Sequence, residues 1–120
     1  MKRSSRRSYV LRPRWRVLRS RDVILGPGKA DLLEAIARSG SLRLAARSLG
    51  MSYMRAWKLV QMLNRGFRER LVLTHRGGAA HGAARLTPTG RAVLDLYREM
   101  EKKSLSATAP SWRKLQRLLG

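Results

Sequence analysis

Cysteine is absent from the 120-residue chain, which excludes a disulfide framework, a thiolate metal site and a thiol nucleophile. Acidic residues are scarce: seven Asp and Glu stand against 27 Lys and Arg, a formal net charge of +20 at pH 7. With two histidines besides, little material remains for acid–base or metal chemistry. The chain therefore reads as a non-enzyme, with no cofactor and no metal. Gly26-Pro27-Gly28 is not a phosphate loop, because no Gly-Lys-Ser/Thr follows it. No stretch approaches the roughly 18 uncharged apolar residues of a membrane span. Arg6-Arg7 near the start is a twin-arginine pair, but Arg12, Arg14, Arg16 and Arg19 interrupt the apolar region that an export signal requires. An Arg- and Ser-rich, acid-free start also has the composition of an organelle transit peptide. Periodic order begins almost at once, however, and the expectation is a cytoplasmic protein with no membrane partner.

What is present points to a small folded domain with a polyanionic partner. An apolar fraction of 43% is that of a globular chain. One net positive charge for every six residues fits a nucleic acid or an anionic surface better than a neutral metabolite.

Residues 1–12 read as a basic, mobile arm, because like charges repel and little apolar surface is available. Two short strands follow, around Trp15 and Val17 and then Val23-Ile24-Leu25, joined by a Ser20-Arg21-Asp22 turn. Gly26-Pro27-Gly28 breaks the chain. Lys29 to Ser39 is helical, with Leu32, Leu33, Ile36 and Ala37 inward and Asp31, Glu34 and Arg38 outward. Gly40 ends that helix. Ser41 caps a second, reaching Leu49, and Ser52 caps a third, running to about Arg65. Leu71–Thr74 and Arg85–Thr87 read as strands flanking a Gly-Gly-Ala-Ala-His-Gly tip at 77–82. Thr87 caps and Pro88 opens a fourth helix with Val93, Leu96, Tyr97 and Met100 on its inner face. Ser106 to Pro110 reads as a linker, and Trp112, Leu115, Leu118 and Leu119 form an apolar stripe on a basic C-terminal segment. The division is a 1–12 arm, a 13–105 domain and a 106–120 amphipathic segment. The fold class is mainly α with small β: a winged helix-turn-helix with an N-terminal strand pair, a two-stranded wing and a long C-terminal helix.

The helix-turn-helix rests on residues 41–60. Two helices crossing through a short turn need a small residue at their closest approach, here Ala46. They need a glycine in the left-handed turn position, here Gly50, four residues on. Ala45, Leu49, Met51, Ala56 and Leu59 close the angle between them. At 100° per residue the third helix buries Ala56, Leu59, Val60 and Leu63 and exposes Met54, Lys58, Gln61 and Arg65, with Arg55 and Met62 beside them. A face of donors near a helix N-terminus suits a major groove. Ser52 and Tyr53 open the helix, where hydroxyls and backbone N–H groups suit phosphate. Tyr53 is a candidate contact through its hydroxyl, and Trp57, four residues on, is read as a structural brace. Arg43 on the second helix, and His75, Arg76 and Arg85 on the wing, complete the candidate DNA-binding set; arginine suits the backbone or minor groove beside a wing. His75 and His81 flank the tip without a nearby acid, which makes a poor metal site.

Gly40-Ser41-Leu42, Ala45-Ala46, Leu49-Gly50-Met51-Ser52-Tyr53 and Ala56-Trp57 resemble the N-terminal winged-helix domain of the ModE family of molybdate-responsive transcription regulators. Leu63-Asn64, Gly77-Gly78, Ala84-Arg85-Leu86-Thr87 and Gly90 continue the match. LysR-type regulators carry a related, looser domain. The resemblance spans about Pro13 to Glu101. It implies a DNA-binding homodimer, held partly by the N-terminal helix and by the long helix after the wing, with a recognition helix from Ser52 onward and a wing over 71–87. The family's C-terminal molybdate-binding modules have no counterpart before Gly120, and the wing tip holds less glycine than the family's. Molybdate sensing is therefore outside the expectation, and any small-molecule effector stays open.

The leading expectation is sequence-specific binding of double-stranded DNA as a homodimer, giving transcriptional regulation. The alternative is an architectural, sequence-indifferent nucleic-acid-binding protein, which the high charge also suits. A third class is an interaction adaptor that uses the Trp112 segment to hold a partner helix or an anionic membrane.

Overall fold

The computed structural model describes residues 8–75 and 82–120. In chain order these form a hairpin of β1 (Val17–Arg19) and β2 (Asp22–Leu25), then helices α1 (Pro27–Ser39), α2 (Leu42–Ser48) and α3 (Tyr53–Gly66). A second hairpin of β3 (Val72–Thr74) and β4 (Ala84–Leu86) follows, and then the long helix α4 (Pro88–Gln116). Both hairpins are antiparallel. This is the winged helix-turn-helix plan with an N-terminal strand pair.

Local chemistry sets most boundaries. α1 begins at Pro27 and not at Lys29. Proline in the first turn gives up an N–H that has no helical partner anyway, so the Gly-Pro-Gly break is a helix start. Gly40 closes α1 at φ +68°, with its N–H on the Ile36 carbonyl at 2.9 Å. Ser41 and Ser52 accept from Leu44 N (3.1 Å) and Arg55 N (3.1 Å), capping α2 and α3 as expected. Thr87 leaves β4 because it serves α4: its Oγ1 accepts from Gly90 N at 2.9 Å and donates to Arg70 O at 2.7 Å. The 76–81 part of the wing, with Arg76 and His81, lies outside the described residues. The turn between α1 and α2 is tied to the two-stranded wing by a single isolated bridge. Ser41 pairs with Ala83, Leu42 N donates to Gly82 O (2.9 Å) and Ala84 N donates to Gly40 O (3.0 Å).

The core lies where the three short helices meet the wing base and α4. Leu32, Leu33 and Ile36 of α1, Leu42 of α2, Val60 and Leu63 of α3, and Leu71 and Val72 at the wing are almost wholly buried, each contributing about 1.5–3 kcal/mol. α4 meets this core on a face rotated from the expected one. Gly90, Leu94 and Tyr97 are buried, while Leu96 and Met100 are 58% and 45% exposed. Gly90 sets this rotation by lying against the Leu71 carbonyl, which turns positions 90, 94, 97 and 101 inward at helical spacing.

Asp31 is exposed, as expected, and Glu34 is half-buried, but neither is unpartnered. They converge on Arg98 of α4, whose Nη2 lies 2.9 Å from Asp31 Oδ1 and 2.8 Å from Glu34 Oε1, while Nη1 reaches Glu101 Oε1 at 3.0 Å. Partial burial by itself lowers the Arg98 pKa, but the hydrogen bonds it donates to the three carboxylates outweigh that and raise it. Glu101 is an i,i+3 partner of Arg98, but Asp31 and Glu34 lie too far from it in sequence for a spacing argument to pair them.

Residues 106–110 are helix, not linker. Thr108 Oγ1 donates back to the Ser104 carbonyl at 2.7 Å, so a hydroxyl of the expected linker joins the helix instead. Pro110 forfeits one backbone bond, to the carbonyl of Ser106, an exposed residue open to water. Nor is the described end of the arm detached. Val10 to Arg14 line a groove with Pro27, Arg98, Glu101 and Leu105. Trp15 Nε1 donates to Ser104 Oγ at 3.1 Å, and the Tyr97 hydroxyl donates to Trp15 O at 2.8 Å. No described helix is long and apolar enough to cross a membrane.

Candidate nucleic-acid interface

The turn between α2 and α3 is built from the residues that the spacing singled out. Ala46 is 2% exposed, and its carbonyl accepts from Leu49 N (3.1 Å) and Met51 N (3.0 Å). Gly50 takes φ +68°, a conformation that costs an ordinary L-residue about 1–2 kcal/mol. Leu49 stays at the rim, and Met51 packs on the core. α3 then buries Ala56, Val60 and Leu63, with Leu59 and Trp57 half-buried against them.

The opposite face of α3 presents Met54, Arg55, Lys58 and Arg65 to solvent, with Tyr53 exposed at its start. Ser52 is exposed, and its Oγ is engaged as the helix cap acceptor, which leaves its O–H able to donate. Gln61 is half-buried and lines a cleft with Arg65, Leu73 and Thr74, where α3 meets β3. Arg43 is exposed on the first turn of α2. His75 is exposed at the end of β3, where its N–H donates to Ala83 O at 2.9 Å. Arg85 is exposed but borders a different depression, with Ile36, Gly40 and Arg91, beside α1 and α4. The structure thus gathers Met54, Arg55, Lys58, Gln61 and Arg65 on one face, with Tyr53 at the start of the helix, and sets Arg85 apart from it.

The field over this face has one sign. Between Ala35 and Arg68 every charged side chain is basic. Among the described residues, Arg43, Arg55, Lys58 and Arg65 form no ion pair. Six of the seven acids are engaged elsewhere: Asp31, Glu34 and Glu101 on Arg98, Glu99 on Lys103 at 2.7 Å, Asp95 facing Arg91 at 3.8 Å and Glu69 on the Thr89 hydroxyl; the seventh, Asp22, lies in a cleft beside Arg65 at the end of α3. No three described His, Asp or Glu side chains gather as metal ligands.

Asn64 is the residue whose part spacing alone did not show. Its Oδ1 accepts from Leu71 N (2.9 Å) and Val72 N (3.1 Å), and its Nδ2 donates to Val72 O (3.0 Å). One amide on the inner flank of α3 thereby fixes the wing to the helix. The available signal was an amide one turn after Val60, beside the buried Leu63. Asn64→Ala removes three hydrogen bonds at once, to Leu71 and to Val72 at the start of β3, and is expected to cost about 2–3 kcal/mol in urea unfolding. A loss below about 0.5 kcal/mol would mean that the wing is held by its apolar base alone.

Comparison with known proteins places this geometry. The molybdenum-pterin-binding protein MopB of Rhodobacter capsulatus is 40% identical over 77 residues, 64% of this chain and 28% of that protein. The molybdenum transport protein ModE of Azotobacter vinelandii is 37% identical over 92 residues, 73% of this chain and 34% of that protein. The DNA-binding transcriptional dual regulator ModE of Escherichia coli K12 is 37% identical over 71 residues, 59% of this chain and 27% of that protein. The chain thus spans roughly a quarter to a third of the length of these relatives. Among solved structures, the CbnR_DBD–DNA complex superimposes with a TM-score of 0.58 at 22% identity, over 73% of this chain and 95% of that one, a likeness of fold. The profile described as "bacterial regulatory helix-turn-helix protein, lysR family" matches residues 29–91, from the first turn of α1 into α4, and the chain belongs to that family.

Proposed function

We propose that the domain binds double-stranded DNA sequence-specifically as a homodimer and regulates transcription in the cytoplasm. The observation that carries this reading is the exposed face of α3. Arg55, Lys58, Gln61 and Arg65 offer donors to base edges and phosphates, and no acid of α2 or α3 opposes them. Ser52 and Tyr53 at the helix start, Arg43 on α2 and His75 and Arg76 on the wing take the flanking backbone, while Arg85, beside α1 and α4, stands outside this contact set. The unassigned apolar residues of α4, Leu96 and Met100 one turn apart, supply a surface for the second copy.

Selection from random duplexes, followed by a salt titration on the winner, tests this. The expected result is a two-fold motif with half-sites about one helical turn apart, and discrimination that survives while total affinity falls steeply with salt. If every duplex binds alike, the domain is an architectural protein and the sequence-specific reading is lost.

A further inference from the structure

The β1–β2 hairpin gives the core one buried residue, Leu25 at the end of β2, and the face of α3 does not account for the rest of it. β1 is exposed at all three residues, and the turn places Ser20 at φ +54° between Arg19 and Arg21, both exposed. So little burial does not hold a short hairpin in water, yet this one is anchored at three points. Ile24 packs so closely on the end of α3 that a Cβ at Gly66 would lie 2.8 Å from Ile24 Cγ2. Lys29, a buried residue, reaches across from α1 so that its ammonium donates to the Val23 carbonyl. Burial draws its pKa down, with Asp22 opposing. Immediately before β1, Trp15 O accepts from the buried Tyr97 hydroxyl at 2.8 Å.

These anchors set the turn beside the C-terminal end of α3. Arg19, Arg21 and Lys29 share a cleft with Met62, Arg65 and Gly66, in which Asp22 is the one acid. On the other side, Gln61, Asn64 and Arg65 share a cleft with Leu73 and Thr74 of the wing. At 100° per residue, Met62 and Gly66 lie on one flank of α3 and Gln61 and Asn64 on the other, with Arg65 between them. The exposed edge of α3 therefore has a hairpin on each side.

The geometry points to the β1–β2 hairpin as a second wing, in which Arg19 and Arg21 contact backbone phosphates on the flank of α3 opposite the β3–β4 wing. The proposal rests on the DNA-binding reading above and deepens it. Guanidinium groups match phosphate oxygens in fork geometry. Contacts of this kind add affinity and fix orientation without reading sequence. The cleft supports them with Arg65, and the Lys29 bond to Val23 fixes the strand that carries the turn.

The test compares the full chain with Arg19→Ala/Arg21→Ala, and with a charge-matched control on α4, Lys102→Ala/Arg113→Ala, on the duplex recovered by selection. The hairpin variant is expected to lose about tenfold in affinity near physiological salt, and its slope of log K against log salt is expected to fall by about 2, near one for each phosphate lost. Its preferred sequence and its melting temperature should be unchanged, since both side chains are exposed. The control should keep the wild-type slope. A hairpin variant that binds like the control overturns the second wing while DNA binding stands. Failure of the wild-type chain to bind any duplex overturns the DNA-binding reading and the second wing together.

Discussion

Gly90→Ala is expected to destabilise the domain by about 2–3 kcal/mol, which lowers the melting temperature by about 10 °C for a chain of this size. Two effects of opposite sign compete. In a helix, alanine is favoured over glycine by about 1 kcal/mol. Here, however, the added Cβ would fall 2.1 Å from the Leu71 carbonyl oxygen and 3.0 Å from its carbon. That neighbour is backbone and not the end of a flexible side chain. Leu71 is fully buried, its N–H is held by Asn64 at 2.9 Å, and its carbonyl accepts from Thr87 N at 2.9 Å. Relief requires α4 to move off the wing base and give up burial at Leu94 and Tyr97, so overpacking wins. A thermal melt decides: a higher melting temperature would mean that helix propensity dominates and that α4 shifts at little cost.

The same glycine illustrates which features were legible in the sequence. Features whose cause lies within a few residues could be read directly. The caps at Ser41, Ser52 and Thr87, the left-handed stops at Gly40 and Gly50, and the buried stripe of Ala56, Val60 and Leu63 all follow from spacing and side-chain chemistry. Because amphipathic spacing separates a buried face from an exposed one, it also placed Arg55, Lys58 and Arg65 in solvent. Features whose cause lies across the fold were hidden. Leu96 and Met100 have the spacing of an inner face, but the close approach of Gly90 to Leu71 rotates α4 away from it. Asp31 and Glu34 look like solvent-facing charges until Arg98, more than sixty residues on, meets them. Pro110 reads as a break, yet no neighbour forces the chain to turn there. Arg85 has the composition of a wing contact, while the bridge from its strand to the α1–α2 turn sets it beside α1 and not beside α3.

Arg55→Ala combined with Lys58→Ala is expected to weaken binding to the selected duplex by about 2–4 kcal/mol, on the order of a hundredfold, if each contact is worth about 1–3 kcal/mol of discrimination. Both side chains are exposed and make no ion pair among the described residues. The Arg55 bond to the Ser52 cap uses the backbone N–H and survives the substitution. Alanine also suits a helix interior at least as well as either residue, so the melting temperature should hold, and the loss can be assigned to the interface. The informative quantity is the ratio of affinity for the selected duplex to that for a scrambled one. Removing base-edge contacts should collapse this ratio, whereas removing Arg19 and Arg21 should lower both affinities and preserve it. If the α3 double variant lowers both affinities equally, its two cations serve phosphate alone and sequence choice lies elsewhere. If neither affinity changes, the exposed face of α3 is not the DNA-binding surface, and its lack of acid is a matter of solubility.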